Sequence, residues 1–302
     1  MMHVFIRMKK FVFLIIAIAE TMHAFSQNDD LLRMVNDSAA VKQFTIGTFK
    51  SSRVINGHSV EMLGAGVLDF RILHRFGTIN QGISDLFGLD EARMRIGFDY
   101  GLTDHLSIGV GRSTINKEFD GFIKYRLMQQ SEGLKAVPLS LVLLAGTTIN
   151  TIRNSSLAGK QSLKARMGYY YQLIAARKVN SNFSVQLSPT LVHRNQIISG
   201  DENDIYAVGM GARHKLSKRF AVVLDYFYVV NGIPADQLNN PLSIGIDIET
   251  GGHVFQLHFS NAIGMNERAF ITETVGEWGK AEIRFGFNLS RVFTLKKEEK
   301  HH

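Results

Sequence analysis

The chain has 302 residues, 34 of them basic and 27 acidic, with a formal charge of +7 and no cysteine. The absence of cysteine excludes disulfides, thiolate metal sites and cysteine nucleophiles. Mean hydropathy is 0.00. The longest uncharged apolar run, Phe11 to Ala19, is far shorter than the ~20 residues of a membrane-spanning helix. The basic residues are spread along the chain, so binding to nucleic acid is not expected.

The first 26 residues have the organisation of a secretory signal peptide. Three basic residues between Arg7 and Lys10 precede the apolar run, and Ala24-Phe25-Ser26 forms a small-x-small cleavage site. We expect cleavage after Ser26 and export of the mature chain.

The mature chain alternates between apolar and polar residues, which predicts β-strands. In the segment 220–230, for example, Phe220, Leu224 and Tyr228 lie on one face of the strand and Asp225 lies on the other. The apolar faces are rich in aromatic residues and lack charge for about ten residues at a time, as expected of tilted strands that cross a hydrocarbon layer. A soluble periplasmic sandwich is the alternative that alternation alone leaves open.

We predict twelve strands, with short turns on one side and mostly long loops on the other. The predicted strands are 66–76, 92–101, 106–115, 119–130, 139–150, 163–178, 183–197, 204–216, 220–231, 242–249, 253–262 and 281–295. An even strand count, this loop asymmetry and only four prolines are typical of outer-membrane barrels. The sequence therefore predicts an all-β, antiparallel transmembrane β-barrel.

The domain organisation follows from these segments. The signal peptide, residues 1–26, precedes a segment 27–65 that is expected to be a periplasmic lead or an extra strand pair. The barrel spans 66–295, and a charged tail spans 296–302. Strands at 41–49 and 53–62 would make a fourteen-strand barrel, which is the alternative, and a plug is a further interpretation of this front segment.

The polar face of the strands is expected to line the barrel lumen, where basic residues outnumber acidic ones. An unpaired positive excess would favour anions, whereas charges that pair between strands would fill the interior. The candidate lumen-lining residues are Asp69, Arg71, Arg75, Arg93, Arg95, Asp99, Lys124, Arg126, Lys164, Arg166, Arg213, Asp225, Asp247, Glu282 and Arg284.

No motif indicates a cofactor, a metal site or catalysis. His58, Ser59 and Glu61 form the only compact set of base, nucleophile and acid, but adjacent strand residues point apart and cannot form a triad locally. His253 and His258, five residues apart on a strand, face opposite sides and cannot share a metal.

The loop 263–280 contains an amphipathic segment, Asn266 to Val275, that could form a short helix folded into the barrel mouth. An ordinary outer loop is the interpretation that we favour.

Seven segments of the mature chain together carry a resemblance to a known family. They are Asn56-Gly57-His58-Ser59-Val60-Glu61, Leu68-Asp69-Phe70-Arg71, His74-Arg75-Phe76-Gly77, Leu86-Phe87-Gly88-Leu89-Asp90, Asp120-Gly121-Phe122-Ile123-Lys124-Tyr125-Arg126, Ser188-Pro189-Thr190-Leu191-Val192-His193-Arg194 and Asp247-Ile248-Glu249-Thr250-Gly251-Gly252-His253. As a set they resemble an uncharacterised family of outer-membrane β-barrel proteins from Bacteroidetes-type Gram-negative bacteria, a β-barrel domain of unknown function. The resemblance covers nearly the whole mature chain, and it implies the fold and the location but no ligand site.

The sequence thus predicts a non-enzymatic outer-membrane barrel that acts as a narrow channel for small anionic solutes. A structural or assembly barrel with a closed, charge-packed lumen is the alternative, and an outer-membrane hydrolase is a third, weaker one. The expected partners are outer-membrane lipid, the barrel-assembly machinery and small anions.

Overall fold

The computed structural model describes residues 41–152, 162–195, 202–231, 238–250 and 253–295. Within these residues, twelve antiparallel strands form a closed barrel in which every strand pairs with its neighbours in the chain. The barrel strands are β2 (Val67–Thr78), β3 (Ala92–Thr103), β4 (Leu106–Ser113), β5 (Phe119–Met128), β7 (Ser140–Ile149), β8 (Met167–Lys178), β9 (Phe183–Arg194), β10 (Asp204–Lys215), β11 (Phe220–Val229), β12 (Leu242–Thr250), β13 (His253–Ser260) and β14 (Arg284–Thr294).

The last strand closes the barrel against the first. Thr294 of β14 lies opposite Val67 of β2, and the antiparallel pairing runs from there to Arg284 and Thr78, with one shift of register between Gly286 and Arg284. A closed ladder leaves no strand edge, so the backbone N–H and C=O groups are paired where no water can reach them. The predicted twelve-strand antiparallel barrel is confirmed.

Burial alternates along each strand, as the sequence pattern predicts. In β11, Val223 and Phe227 are buried inside the barrel, whereas Phe220 and Leu224 face outward. Asp225 shares the inner face with Val223 and Phe227 and is 3% exposed. This alternation follows from the two-residue period of a strand. It presents apolar side chains to the membrane and polar ones to the interior.

The connections differ at the two ends of the barrel. At one end β3 and β4, β8 and β9, and β10 and β11 are joined by tight turns, and only two residues separate β12 from β13. The loops at the opposite end are mostly longer, and the described parts contain 3₁₀ turns at Ile79–Gln81, Ile83–Gly88, Ile115–Lys117, Lys164–Arg166 and Trp278–Lys280 and one α-helix, α1 (Glu267–Thr272). Because β2 begins and β14 ends at the tight-turn end, both ends of the barrel segment lie there.

The segment that precedes β2 adds no strand to the barrel, so the fourteen-strand alternative is wrong. Within the described residues 41–66, only Gln43–Phe44 forms a strand, β1, and it pairs outside the barrel with β6 (Ser131–Glu132). Residues 53–62 turn into the barrel interior instead. Side chains of the barrel wall form hydrogen bonds there with backbone groups of this segment.

No described helix is long and apolar enough to cross a membrane. The predicted signal peptide and the tail from Lys296 to His302 lie outside the described residues.

Candidate functional site

The interior of the barrel is occupied by a hairpin from the N-terminal segment, residues 52–59, which we call the plug hairpin. Its two arms are joined by backbone hydrogen bonds from Val54 to the Gly57 carbonyl (2.8 Å) and from Ser59 to the Ser52 carbonyl (3.0 Å). The side chains of Arg53, Ile55 and His58 are at most 2% exposed. The hairpin enters from the tight-turn end, because it leads directly into β2.

The tip of the plug hairpin docks on one carboxylate of the wall. Oδ2 of Asp225 accepts the backbone N–H groups of Ile55 (3.3 Å), Asn56 (2.7 Å) and Gly57 (2.9 Å). Gly57 also lies against the Phe227 ring, where a Cβ atom would come within 2.7 Å of Cζ. The tip therefore needs a residue without a side chain at this position.

Amide side chains around the wall satisfy other backbone groups of the segment. Gln186 of β9 donates to the His58 carbonyl (2.8 Å) and accepts from the Val60 N–H (2.9 Å). Gln256 of β13 donates to the Val54 carbonyl (2.7 Å), and Asn288 of β14 donates to the Ile55 carbonyl (3.0 Å). These amides replace water as partners of the buried backbone.

Basic residues of β2 and β5 complete this ring of contacts. Arg71 donates to the hydroxyls of Ser51 and Ser52, both at 2.8 Å. Arg75 donates to the side-chain carbonyl of Asn56 (2.5 Å), and Lys124 donates to the backbone carbonyl of Glu61 (2.5 Å). Three of the predicted lumen-lining cations thus contact the N-terminal segment rather than an open path.

The second element inside the barrel is α1, which enters from the long-loop end. Asn266 caps it by accepting the Ala269 N–H (2.9 Å), and the side chains of Phe270 and Ile271 are fully buried. The Phe270 ring packs edge-on against Phe227 at 4.9 Å, the ring that also contacts Gly57. The favoured expectation of an ordinary outer loop is wrong, because these apolar side chains are buried in the barrel interior.

The plug hairpin and α1 meet in a buried ion pair. Arg53 Nη1 lies 3.2 Å from Glu267 Oε1, with the two side chains 1% and 0% exposed. His58 Nε2 lies 3.7 Å from the same oxygen. Elements that enter from opposite ends are therefore joined near the middle of the barrel.

The surroundings shift the pKa values of His58 and Glu267, which both lie outside the strands. Burial, and then the positive charge of Arg53, lower the pKa of His58 well below 6.5, so the ring is neutral at physiological pH. Burial raises the pKa of Glu267, an effect that the Arg53 guanidinium opposes. The hairpin thus carries one charged group, Arg53, into the interior and pairs it with a charge from α1.

A further ion pair ties α1 to the wall. Arg268 contacts both carboxylate oxygens of Glu118, each at 2.7 Å, in the link between β4 and β5. It also binds Glu273 just beyond the helix (2.5 Å). Bidentate guanidinium–carboxylate geometry of this kind adds directional strength.

Acids and bases are equal in number among the described strand residues that are buried. Asp69 pairs with Arg71, and Arg213 Nε lies 3.5 Å from Asp247 Oδ2. Arg95 binds Asp120, with one contact of 2.8 Å from Nε to Oδ1. The five buried bases are Arg71, Arg75, Arg95, Lys124 and Arg213, and the five buried acids are Asp69, Asp99, Asp120, Asp225 and Asp247.

The remaining candidate residues lie towards the ends of the barrel. Arg93 lies directly opposite the inward-facing Arg75 on the neighbouring strand, and Arg284 lies opposite the buried Ser260. Both positions are at the long-loop end. Arg126 lies opposite the buried Val142 near the tight-turn end. Outside the strands, Lys164 and Arg166 form the 3₁₀ turn before β8, and Glu282 accepts the Glu277 N–H (3.1 Å) in the loop before β14.

Several buried polar residues were not among the candidates. Asp120 could have been found, because it has the same strand parity as Lys124. Arg53 and Glu267 lie outside the strands, so alternation carries no information about them. The other residues missed are the amides that bind the backbone of the N-terminal segment, Gln186, Gln256 and Asn288. An uncharged amide on an inner face has no distinctive sequence pattern.

The compact set of His58, Ser59 and Glu61 makes separate contacts. The Ser59 hydroxyl donates to the Ser51 carbonyl (2.5 Å), and Glu61 Oε1 accepts the Phe49 N–H (3.0 Å). Neither contact involves the His58 ring. Within the described residues, no three histidine, aspartate or glutamate side chains are grouped closely enough to hold a metal ion.

A small cavity lies beside the plug hairpin. It has a volume of about 10 Å³ and lies between Arg53, Ser51 and Arg71 and the wall residues Gln256 and Asn288. That volume is about one water molecule.

Residues 49–293 match the family described as "Membrane bound beta barrel domain (DUF5777)". The chain belongs to this family. The match begins inside the N-terminal segment and therefore includes the plug hairpin as well as the strands. With its closed, even-stranded barrel and apolar outer face, this family member is an outer-membrane β-barrel, as predicted.

Solved outer-membrane structures are similar at low identity. The NanC porin has 9% identity and a TM-score of 0.47, over 76% of this chain and 100% of that one. An outer membrane channel from Pseudomonas putida F1 has 14% identity and a TM-score of 0.45, over 78% and 98%. The KdgM porin has 9% identity and a TM-score of 0.44, over 76% and 99%. No curated protein matches the chain.

Proposed function

We propose that this protein is an outer-membrane barrel with a closed lumen, which acts as a structural or assembly protein and presents its long loops to partners. One observation carries the proposal: the three backbone N–H groups of the hairpin tip are bound to Asp225 inside the barrel. A segment whose backbone is satisfied by the wall is part of the folded state. Its residues occupy the space that a solute would need.

The charge balance inside the barrel also favours this function over a permanently open anion path. The buried residues of the described strands include five bases and five acids, and the bases that touch the N-terminal segment are already hydrogen-bonded to it. Selectivity for anions requires unpaired positive charge along a wetted path.

A gated channel for small anionic solutes is the second candidate. This candidate is favoured because the plug hairpin contributes no strand to the barrel. The strand ladder closes without the hairpin. Arg93 and Arg284 near one end and Arg126 near the other would then face a solute that enters. With either function, we propose that the protein comes from a Bacteroidetes-type bacterium and is inserted by the barrel-assembly machinery.

Single-channel recording in planar bilayers tests the closed lumen. The wild-type protein is expected to show no steady conductance at neutral pH, whereas deletion of residues 49–61 is expected to open a stable conductance. Steady anion-selective current through the wild-type barrel would overturn the closed-lumen function in favour of the channel. A non-conducting deletion variant that still resists SDS unfolding would contradict the role of the hairpin as the barrier.

A further inference from the structure

A groove of about 630 Å³ crosses the outer, membrane-facing wall over strands β5 to β10. One side of it is a row of residues that lie directly opposite one another on neighbouring strands. Tyr206 pairs with Leu191, Leu191 with Tyr171, Tyr171 with Ala145, and Ala145 with Ile123. The groove therefore runs across the strands rather than along one of them.

A second row of the groove lining includes Pro189 of β9. Pro189 lies between Val208 of β10 and Leu173 of β8, and the β8–β9 ladder lapses at Leu173 and Pro189 while the register continues on both sides. Proline has no N–H to donate. In the first row, the single methyl group of Ala145 separates the larger side chains of Tyr171 and Ile123.

The dimensions of the groove match one lipid chain. Five strands span four inter-strand spacings of about 4.8 Å, or roughly 19 Å. The hydrocarbon layer of one leaflet is about 15 Å, half of the bilayer core, so an extended acyl chain that slants along the wall has the length to fill the groove. Tyr206 lies two residues from the long-loop end of β10, where its hydroxyl can reach the headgroup region.

We propose that this groove is a binding site for one acyl chain of a membrane lipid. The lining is apolar apart from the tyrosine hydroxyls, Gln172 and Thr190, so nothing in it would select a charged ligand. A second copy of the barrel is a poorer occupant, because a convex wall laid over a groove leaves a void and loses packing contacts. A flexible chain follows the depression and buries it completely.

Photolabelling of the wild-type protein tests the site without any variant. The probe is a phosphatidylcholine with a diazirine on one acyl chain, incorporated with the barrel into bilayers of unlabelled phosphatidylcholine. We expect labelled peptides from β5 and β7–β10 to exceed those from β2 and β12–β14 at least fivefold. Even labelling around the barrel would overturn the proposal.

A pair of tryptophan variants provides the matched control. Ala145→Trp fills the groove, whereas Ala175→Trp adds the same side chain to the outward face of β8 outside the groove lining. In native mass spectrometry with added phosphatidylcholine, retention of one lipid is expected to fall at least tenfold for A145W only. Equal retention by both variants would refute the site, as would a wild-type dimer that only A145W dissociates, because a second copy would then be the occupant.

Discussion

Substitution of Asp225 by Asn perturbs the docking of the plug hairpin with little change in volume. The carboxylate oxygen Oδ2 accepts three backbone N–H groups at 2.7–3.3 Å, and hydrogen bonds to a charged group contribute about 1.5–3 kcal/mol each. An amide oxygen is neutral, and a hydrogen bond to a neutral group contributes only about 0.5–1.5 kcal/mol. Each of the three bonds therefore loses about 1 kcal/mol of charge assistance. We expect the docked hairpin to be destabilised by about 3 kcal/mol, which corresponds to an increase on the order of 100-fold in the undocked population.

The assay uses the absence of cysteine in the natural chain. Val60→Cys places a single thiol at a position that is 4% exposed, and its reaction rate with a membrane-impermeant maleimide reports undocking. The rate is expected to rise on the order of 100-fold in D225N, while resistance to SDS shows that the strand ladder is intact. Asp204→Asn, at the exposed start of β10, is the control and should leave the rate unchanged. A labelling rate in D225N within threefold of the parent rate would show that Asp225 does not hold the hairpin in place.

Three further predictions concern the same interior. Glu267→Gln leaves Arg53 buried without its charge partner, so the labelling rate should rise by a factor that corresponds to about 3 kcal/mol. Glu277→Gln, which breaks an exposed ion pair, is the control. Equal labelling rates in the two variants would contradict a role for the buried pair. Because the docked state holds the pKa of His58 well below 6.5, the undocked state takes up a proton first as pH falls. Docking should therefore weaken below pH 6.5 by up to about 1.4 kcal/mol per pH unit. His58→Gln should remove this dependence of the labelling rate on pH. An unchanged pH dependence in the variant would show that His58 does not take up a proton when the hairpin undocks. Gly57→Ala brings a methyl group within 2.7 Å of the Phe227 ring and should cost about 1–3 kcal/mol of docking, measured by the same rate; Gly64→Ala, whose nearest neighbours are at 3.8 Å, should have no effect.

Strand parity was enough to predict the barrel and much of its inner wall. Asp225 alternates with Leu224 and Tyr226 in an apolar strand, so its inward direction follows from the two-residue period alone. The same period does not indicate what an inward residue contacts. Asp225 binds residues 168–170 positions earlier in the chain, and nothing in a local pattern encodes that partner.

The occupied lumen could not be predicted for a related reason. Residues 52–59 carry one charge and several small polar side chains, which is equally compatible with a solvated lead segment. They are buried only because Gln186, Gln256 and Asn288 project from strands far along the chain to satisfy their backbone. Similarly, α1 has the amphipathic pattern of a surface helix, and only the Arg53–Glu267 pair explains why its acidic residue is buried.

If the plug hairpin lies inside the folded barrel, proximity crosslinking should capture it there. Asn56 Nδ2 at the hairpin tip lies 2.9 Å from Ser243 Oγ on β12, so cysteines at these two positions of the cysteine-free chain should react fully with a short bifunctional thiol reagent in native membranes. Cysteines at Asn56 and at Ser217, in the turn between β10 and β11, should not be joined. We expect efficient crosslinking of the first pair alone. An SDS-resistant barrel in which the first pair is not joined would contradict this placement of the hairpin.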